Sequence, residues 1–242
     1  MMGLKQANAA LAVAAVSLLA IFMPGAASAQ QTDAAQVIRG IDAAVRTRVE
    51  RVAEFTDTEH YAVFRGKNGS HPMAEMTVKT TYRKNAGKSY TVVSQSGPEI
   101  VQKMAFGALL DSEKRINQPG SVEASWFTSA NYEMKLKDGG TEQLDGRDCF
   151  VLTITPKHKA PNMIAGTLWV DAKDYGIVQV QGMASKSPSV WAGPTEMMRQ
   201  YANVSGFAMA THARAVSNSF LFGKTTVTID YRDYQIRVLP AK

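Results

Sequence analysis

The chain has a single cysteine, Cys149, among its 242 residues. One thiol closes no internal disulfide, so the fold must be held by its core alone. Cys149 lies in the apolar run Cys149-Phe150-Val151-Leu152. Reactive cysteines need exposed, electropositive surroundings, so a buried and inert thiol is the better reading. Histidine is also scarce. His60, His71, His158 and His212 are far apart, and none forms an HxxxH or HxH pair. The chain carries no G-x-S-x-G elbow, the local mark of one large hydrolase class. Gly139-Gly140 has no helix signal after it and reads as a turn, not as a phosphate loop. Asp171-x-x-Asp174-x-Gly176 holds fragments of a calcium loop, but the acids at the third and fifth positions and the closing Glu are missing. It reads as a hairpin turn. No aromatic-basic run of the nucleic-acid type occurs. These absences point away from an enzyme, a metal centre, a cofactor and a nucleic-acid partner.

One long apolar run is present, and it is at the start. Ala9 to Phe22 is almost wholly apolar, follows Lys5, and is broken by Pro24-Gly25. Ala27-Ser28-Ala29 then offers small residues for cleavage. The run is shorter than the roughly 20 residues a membrane span needs. Residues 1–29 are therefore read as a cleavable export signal, with Gln30 starting the mature chain. No cysteine follows the cut, so no lipoprotein signal is seen there. The expected address is the periplasm. Residues 30–242 leave roughly 210 residues, which fits one domain, particularly an all-β one. The full chain has a formal charge of +6, spread along its length. That is compatible with ordinary solubility or with contact with an anionic membrane surface or acidic partner.

The clearest helix spans Asp33 to Phe55. Val37, Ile41, Val45, Val49 and Val52 recur every three or four residues, with arginines mostly on other faces. Thr32 or Asp33 is placed to cap it. Strand patterns then dominate, beginning at Tyr61–Arg65, Met76–Arg83 and Ser89–Ser94. Pro98–Arg115 interrupts them with an apolar helix, weakened at Gly107. Strands resume at Tyr132–Lys137, Cys149–Pro156, Gly166–Val170, Gly176–Met183, Met197–Val204, Met209–Ser217 and Lys224–Val238. About ten strands and two helices without a βαβ rhythm indicate a mainly β, α+β fold, an antiparallel sheet covered by helices.

Large apolar residues also occur in irregular places: Trp126-Phe127 and Trp191 in loops, Met197-Met198, and Phe220-Leu221-Phe222 near a strand end. Core packing beneath loops explains such residues one at a time. Together they also suit the rim of an apolar cavity.

The order of these segments resembles the periplasmic lipoprotein-carrier superfamily, the LolA/LolB/RseB-like proteins of outer-membrane lipoprotein sorting. Leu144 to Pro156 (LDGRDCFVLTITP) is similar to a family strand of alternating residues ending in proline. Leu168-Trp169-Val170-Asp171 is similar to its L-W-V-D strand end, and Val204 to Phe207 and Thr228 to Tyr234 resemble later strands. The resemblance implies a strongly curved antiparallel sheet, or incomplete β-barrel, with helices on its concave face. It implies a LolA-like lipid-binding domain over 30–242 whose cavity takes an acyl chain. The Pro98–Arg115 helix would be a plug or lid. No position matches the family's gating arginine. On this reading the cavity residues are Val45, Met104, Leu109, Trp126, Trp169 and Met198. The protein would be a monomeric carrier of a lipid or acylated lipoprotein, handing it to or from a membrane surface or transporter. An envelope sensor of the same fold and a hydrolase with an unmarked site are the alternatives.

Overall fold

Helix α1 covers Ala34–Arg51 and starts at Asp33, whose side chain accepts a hydrogen bond from the Ala35 amide at 2.9 Å. In this computed structural model the described residues are 33–66, 71–187, 193–219 and 223–240. The expected export signal, the Lys67–Ser70 part of the first loop, Trp191 and Phe220-Leu221-Phe222 lie outside them. Val37 and Ile41 are fully buried, as the apolar stripe requires. The helix ends four residues before the expected Phe55. Val52 is both its C-cap and the first residue of strand β1 (Val52–Arg65). Val52 continues the helical spacing. The first inward positions beyond Phe55 are the charged Asp57 and Glu59, so the polar-apolar alternation that marks a strand is concealed.

The remaining strands are β2 (Ala74–Arg83), β3 (Gly87–Ser96), β4 (Tyr132–Leu144), β5 (Arg147–Pro156), β6 (Ile164–Asp171), β7 (Ile177–Ala184), β8 (Thr195–Val204), β9 (Phe207–Ser219) and β10 (Gly223–Val238). They form one sheet in the order β3-β2-β1-β10-β9-β8-β7-β6-β5-β4, and every pair is antiparallel. From β4 to β10 each strand lies beside the next in sequence. The last strand then returns to pair with the first. β3 and β4 are not paired with each other, so the strongly curved sheet stays open as an incomplete barrel. Both expectations, mainly β and incompletely closed, are met.

Curvature has local causes. The β1–β10 register shifts between Thr56 and Thr58, opposite Asp233, which has φ 59°. A bulge of this kind bends the strand and increases twist. Gly166 and Gly182 face each other across β6 and β7, where a Cβ on either would collide with the backbone of the other strand. The expected turn at Asp171 to Gly176 is present. Asp171 and Asp174 accept backbone hydrogen bonds from Lys173 at 2.8 Å and Gly176 at 2.7 Å.

Between β3 and β4 the chain crosses the concave side. It forms α2 (Glu99–Val101), a π-helical stretch Gln102–Gly107, α3 (Ala108–Ile116) and a 3-10 turn Val122–Ser125. The expected helix is thus present as one continuous helical run from Glu99 to Ile116, its winding relaxed to π over Gln102–Gly107, up to the glycine that weakens it. Phe106 is fully buried and meets Tyr61 edge-on, with ring centroids 6.3 Å apart.

Among the described residues, three apolar clusters hold the fold. One joins Val37 and Ile41 of α1 to the inward residues of β4–β7. A second joins Phe106 to Tyr61, Val63, Met76 and Val78. A third, Val52, Phe55, Phe207 and Met209, sits where α1 runs into β1. Cys149 is buried, and burial raises its thiol pKa further from reactivity. Asp42 of α1 accepts a bond from the Ser129 amide at 2.8 Å, pinning the helix to the loop that carries Phe127.

Because both glycines sit where backbones approach closely, Gly166→Ala should destabilise the protein by about 1–3 kcal/mol. A urea denaturation curve should show a lower midpoint with unchanged slope; an unchanged midpoint would rule out the close approach.

Candidate ligand cavity

A cavity of about 480 Å³ lies among α1, the end of α3 and the concave face of the sheet. Val45 and Val49 of α1, Phe55 of β1, Trp126-Phe127 and Met209 of β9 supply apolar wall. Lys88 of β3, Glu113 of α3, Arg199 and Tyr201 of β8, Tyr231 of β10 and Arg48 of α1 supply polar wall. The cavity is therefore not a plain apolar slot. A strip of charge and hydroxyl crosses it between the first two apolar clusters.

Strand alternation places that strip. Phe55, Asp57, Glu59 and Tyr61 are alternate buried positions of β1 and share its inner face. On β8, Met197, which packs on the first cluster, shares a face with the cavity residues Arg199 and Tyr201. Lys88 is the centre of the strip. Its ammonium lies 3.3 Å from Glu59 Oε1 and 3.6 Å from Glu113 Oε2. The Lys88 side chain is 12% exposed and that of Glu59 only 1%. The Tyr61 hydroxyl donates to Glu59 Oε2, and the Asn117 side-chain amide donates to Glu113 Oε2 at 3.1 Å.

The electrostatics follow. Burial alone would lower the Lys88 pKa, but Glu59 and Glu113 outweigh it and hold the ammonium charged. Burial would raise the Glu113 pKa; Lys88 and then Arg199 reverse this and keep it ionised. Burial opposes the Arg199 charge too, and the Tyr201 and Tyr231 hydroxyls with Glu113 more than offset it. Asp57 differs. Burial, reinforced by the charge of Glu59, pushes its carboxyl up to about 7. Tyr234 and Thr80 are near it, yet among the described residues neither carboxyl oxygen has a hydrogen-bond partner of good geometry. The Tyr234 hydroxyl donates instead to the Ala210 carbonyl at 2.8 Å.

Of the residues expected to line the cavity, Val45 and Trp126 do so. Leu109 packs on the second apolar cluster, beside Phe106. Met104 belongs to the π-helical stretch, and its side chain lies outside the described residues. Trp169 alternates with the buried Leu168 and Val170, so it stands on the other face of β6; its indole N–H donates to Glu142 at 3.2 Å. Met198 stands on the face of β8 opposite Met197 and Arg199, paired with Gln181 and Arg214. Thus the structure gathers two of the six around the cavity. The charged lining, Lys88, Glu113 and Arg199, is what reading for apolar residues passes over. The usable signal was parity: Arg199 is two residues from both Met197 and Tyr201 and shares their face.

No protein-family model matches the chain, and no curated protein matches it. Solved structures do. A LolA-superfamily protein from Nitrosomonas europaea is 14% identical with a TM-score of 0.45, over 86% of this chain and 96% of that one. An outer-membrane lipoprotein-sorting protein domain from Vibrio parahaemolyticus is 14% identical with a TM-score of 0.44, over 86% and 92%. A DUF1329-family protein from Desulfovibrio piger is 18% identical with a TM-score of 0.42, over 85% and 95%.

The strip generates two predictions. Asp57 has a folded pKa raised above its unfolded value of 3.8, so its contribution to stability is full at low pH and falls as pH rises from about 4 through about 7. Asp57→Asn should remove that slope and be the more stable form at pH 8, by on the order of 1–3 kcal/mol. Urea curves of both proteins from pH 5 to pH 8 measure it, and parallel pH profiles would refute it. Lys88→Met leaves Glu59 buried without its cation and should cost about 3–5 kcal/mol. Adding Glu59→Gln should recover a large part of that loss in the same denaturation assay.

Proposed function

We propose that this chain is an exported, periplasmic binding or carrier protein for a lipid or lipoprotein acyl chain, serving outer-membrane lipoprotein or lipid trafficking. The observation that carries the reading is the cavity of about 480 Å³ on the concave face, walled by α1, Trp126-Phe127 and the sheet. Its size is within the range of small-molecule sites. The order of sequence motifs, from the N-terminal apolar run to the L-W-V-D strand end, supports the same reading. Val45 and Trp126 belong to the proposed contact surface, and Leu109 and Met104 to the helical segment bordering it. Each buried methylene contributes about 0.8 kcal/mol, so an acyl chain supplies enough driving force to offset ordering costs. No chemistry on the ligand is required: it is bound, carried and released.

Native mass spectrometry after mild purification should show a co-purifying lipid, and a fluorescent fatty acid should bind and be displaced by unlabelled acyl chains. Trp126→Ala should weaken that binding by about 1–3 kcal/mol, roughly 5- to 150-fold in Kd. A protein that carries no lipid and binds no fluorescent fatty acid would sink the carrier reading.

A further inference from the structure

We propose that the cavity selects an anionic amphiphile, with a carboxylate or phosphate head held by Arg48 and Arg199 and its tail on the apolar wall. This rests on the lipid-binding reading and names the headgroup that reading leaves open.

Arg48 comes from α1 and Arg199 from β8, and both line the cavity. Lys88 lines it too, but Glu59 and Glu113 already pair with it. Asp174 also lines the cavity, but its carboxylate serves the turn: Oδ1 accepts from the Gly176 amide and Oδ2 from Asn203. Neither arginine forms an ion pair among the described residues. The Arg48 Nε is buried and has no acceptor among the described residues. Buried donors are nearly always satisfied, and an unpaired buried charge is costly. Glu113 favours the Arg199 charge but is itself bonded to Lys88 and Asn117. Two guanidiniums therefore line one cavity with no carboxylate in direct contact among the described residues, and an anionic head can supply that contact. The planar guanidinium fork matches carboxylate and phosphate oxygens in a way a neutral headgroup cannot reproduce. Tyr201 and Tyr231 add hydroxyls to the same wall, suited to the oxygens such a head presents. The apolar surface of Val45, Val49 and Trp126 then receives the chain.

The test compares dodecanoate, dodecyl phosphate, dodecanol and inorganic phosphate by isothermal titration calorimetry on the wild-type protein. Dodecanoate and dodecyl phosphate should bind at least about tenfold more tightly than dodecanol. Arg199→Gln and Arg48→Gln should each shrink that preference severalfold while leaving dodecanol affinity within about twofold, and Arg199→Lys should keep part of it. Circular dichroism checks the fold of each variant. Should Arg199→Gln unfold, Arg48→Gln and the wild-type preference still decide the matter. Dodecanol binding as tightly as dodecanoate would overturn headgroup selection while leaving the lipid reading intact. Failure of every twelve-carbon compound to bind would overturn both. Inorganic phosphate binding as tightly as dodecyl phosphate would overturn the amphiphile and assign the arginines to a free anion.

Discussion

A single buried ammonium joins the parts of this fold that the backbone alone leaves separate. Lys88 belongs to β3, the edge of an open sheet. Its two carboxylate partners come from β1, two strands further in, and from α3, which the sheet does not hydrogen-bond. Isolated, any one of these three charges is costly to bury; here Glu59 and Glu113 hold the Lys88 ammonium charged, and Lys88 in turn keeps Glu113 ionised. The cluster therefore fixes where α3 lies on the concave face. With that fixed, Ile116, Val122 and Trp126 fall on the cavity wall, and the apolar π-helical stretch falls on the second cluster.

The concave face is divided as a result. One side is the aliphatic and aromatic cluster under α1, the other the cluster under Phe106, and between them runs the polar strip. A purely apolar concavity would favour collapse of its helices onto the sheet. Here the inward positions of β1, β8 and β10 include Glu59, Arg199 and Tyr231, which resist full desiccation. The cavity that persists has two chemistries within reach of one molecule, and an amphiphile is the ligand type that has both.

The strands and their antiparallel class were legible because most of them alternate. Phe150, Leu152 and Ile154 of β5 announce their inward face directly, and all three are buried. The boundary of α1 and the first half of β1 were not legible. There the helix stripe runs on through Val52, and the inward strand positions Asp57 and Glu59 are acids. The same feature hid the site. A search for apolar lining finds Val45 and Trp126, but it also selects Trp169 and Met198, which parity puts on the opposite face. Charged residues at core positions look like solvent-facing residues until the strand partners are known. Lys88 makes sense only once Glu59 and Glu113, distant in sequence, are brought beside it.

The junction of α1 and β1 has no loop: Val52 closes the helix and opens the strand, and its amide donates to the Arg48 carbonyl. A joint of that kind transmits torque. Helix α1 is further bolted to the Ser129 loop by Asp42, and β1 is clamped between β2 and β10 along most of its length. The α1 wall of the cavity thus behaves as a fixed jaw, with no hinge of its own. A change in the cavity's aperture is more readily taken up on the opposing side, by the helical segment between β3 and β4, where the backbone changes its winding twice, from α to π and back, within eighteen residues, Glu99 to Ile116.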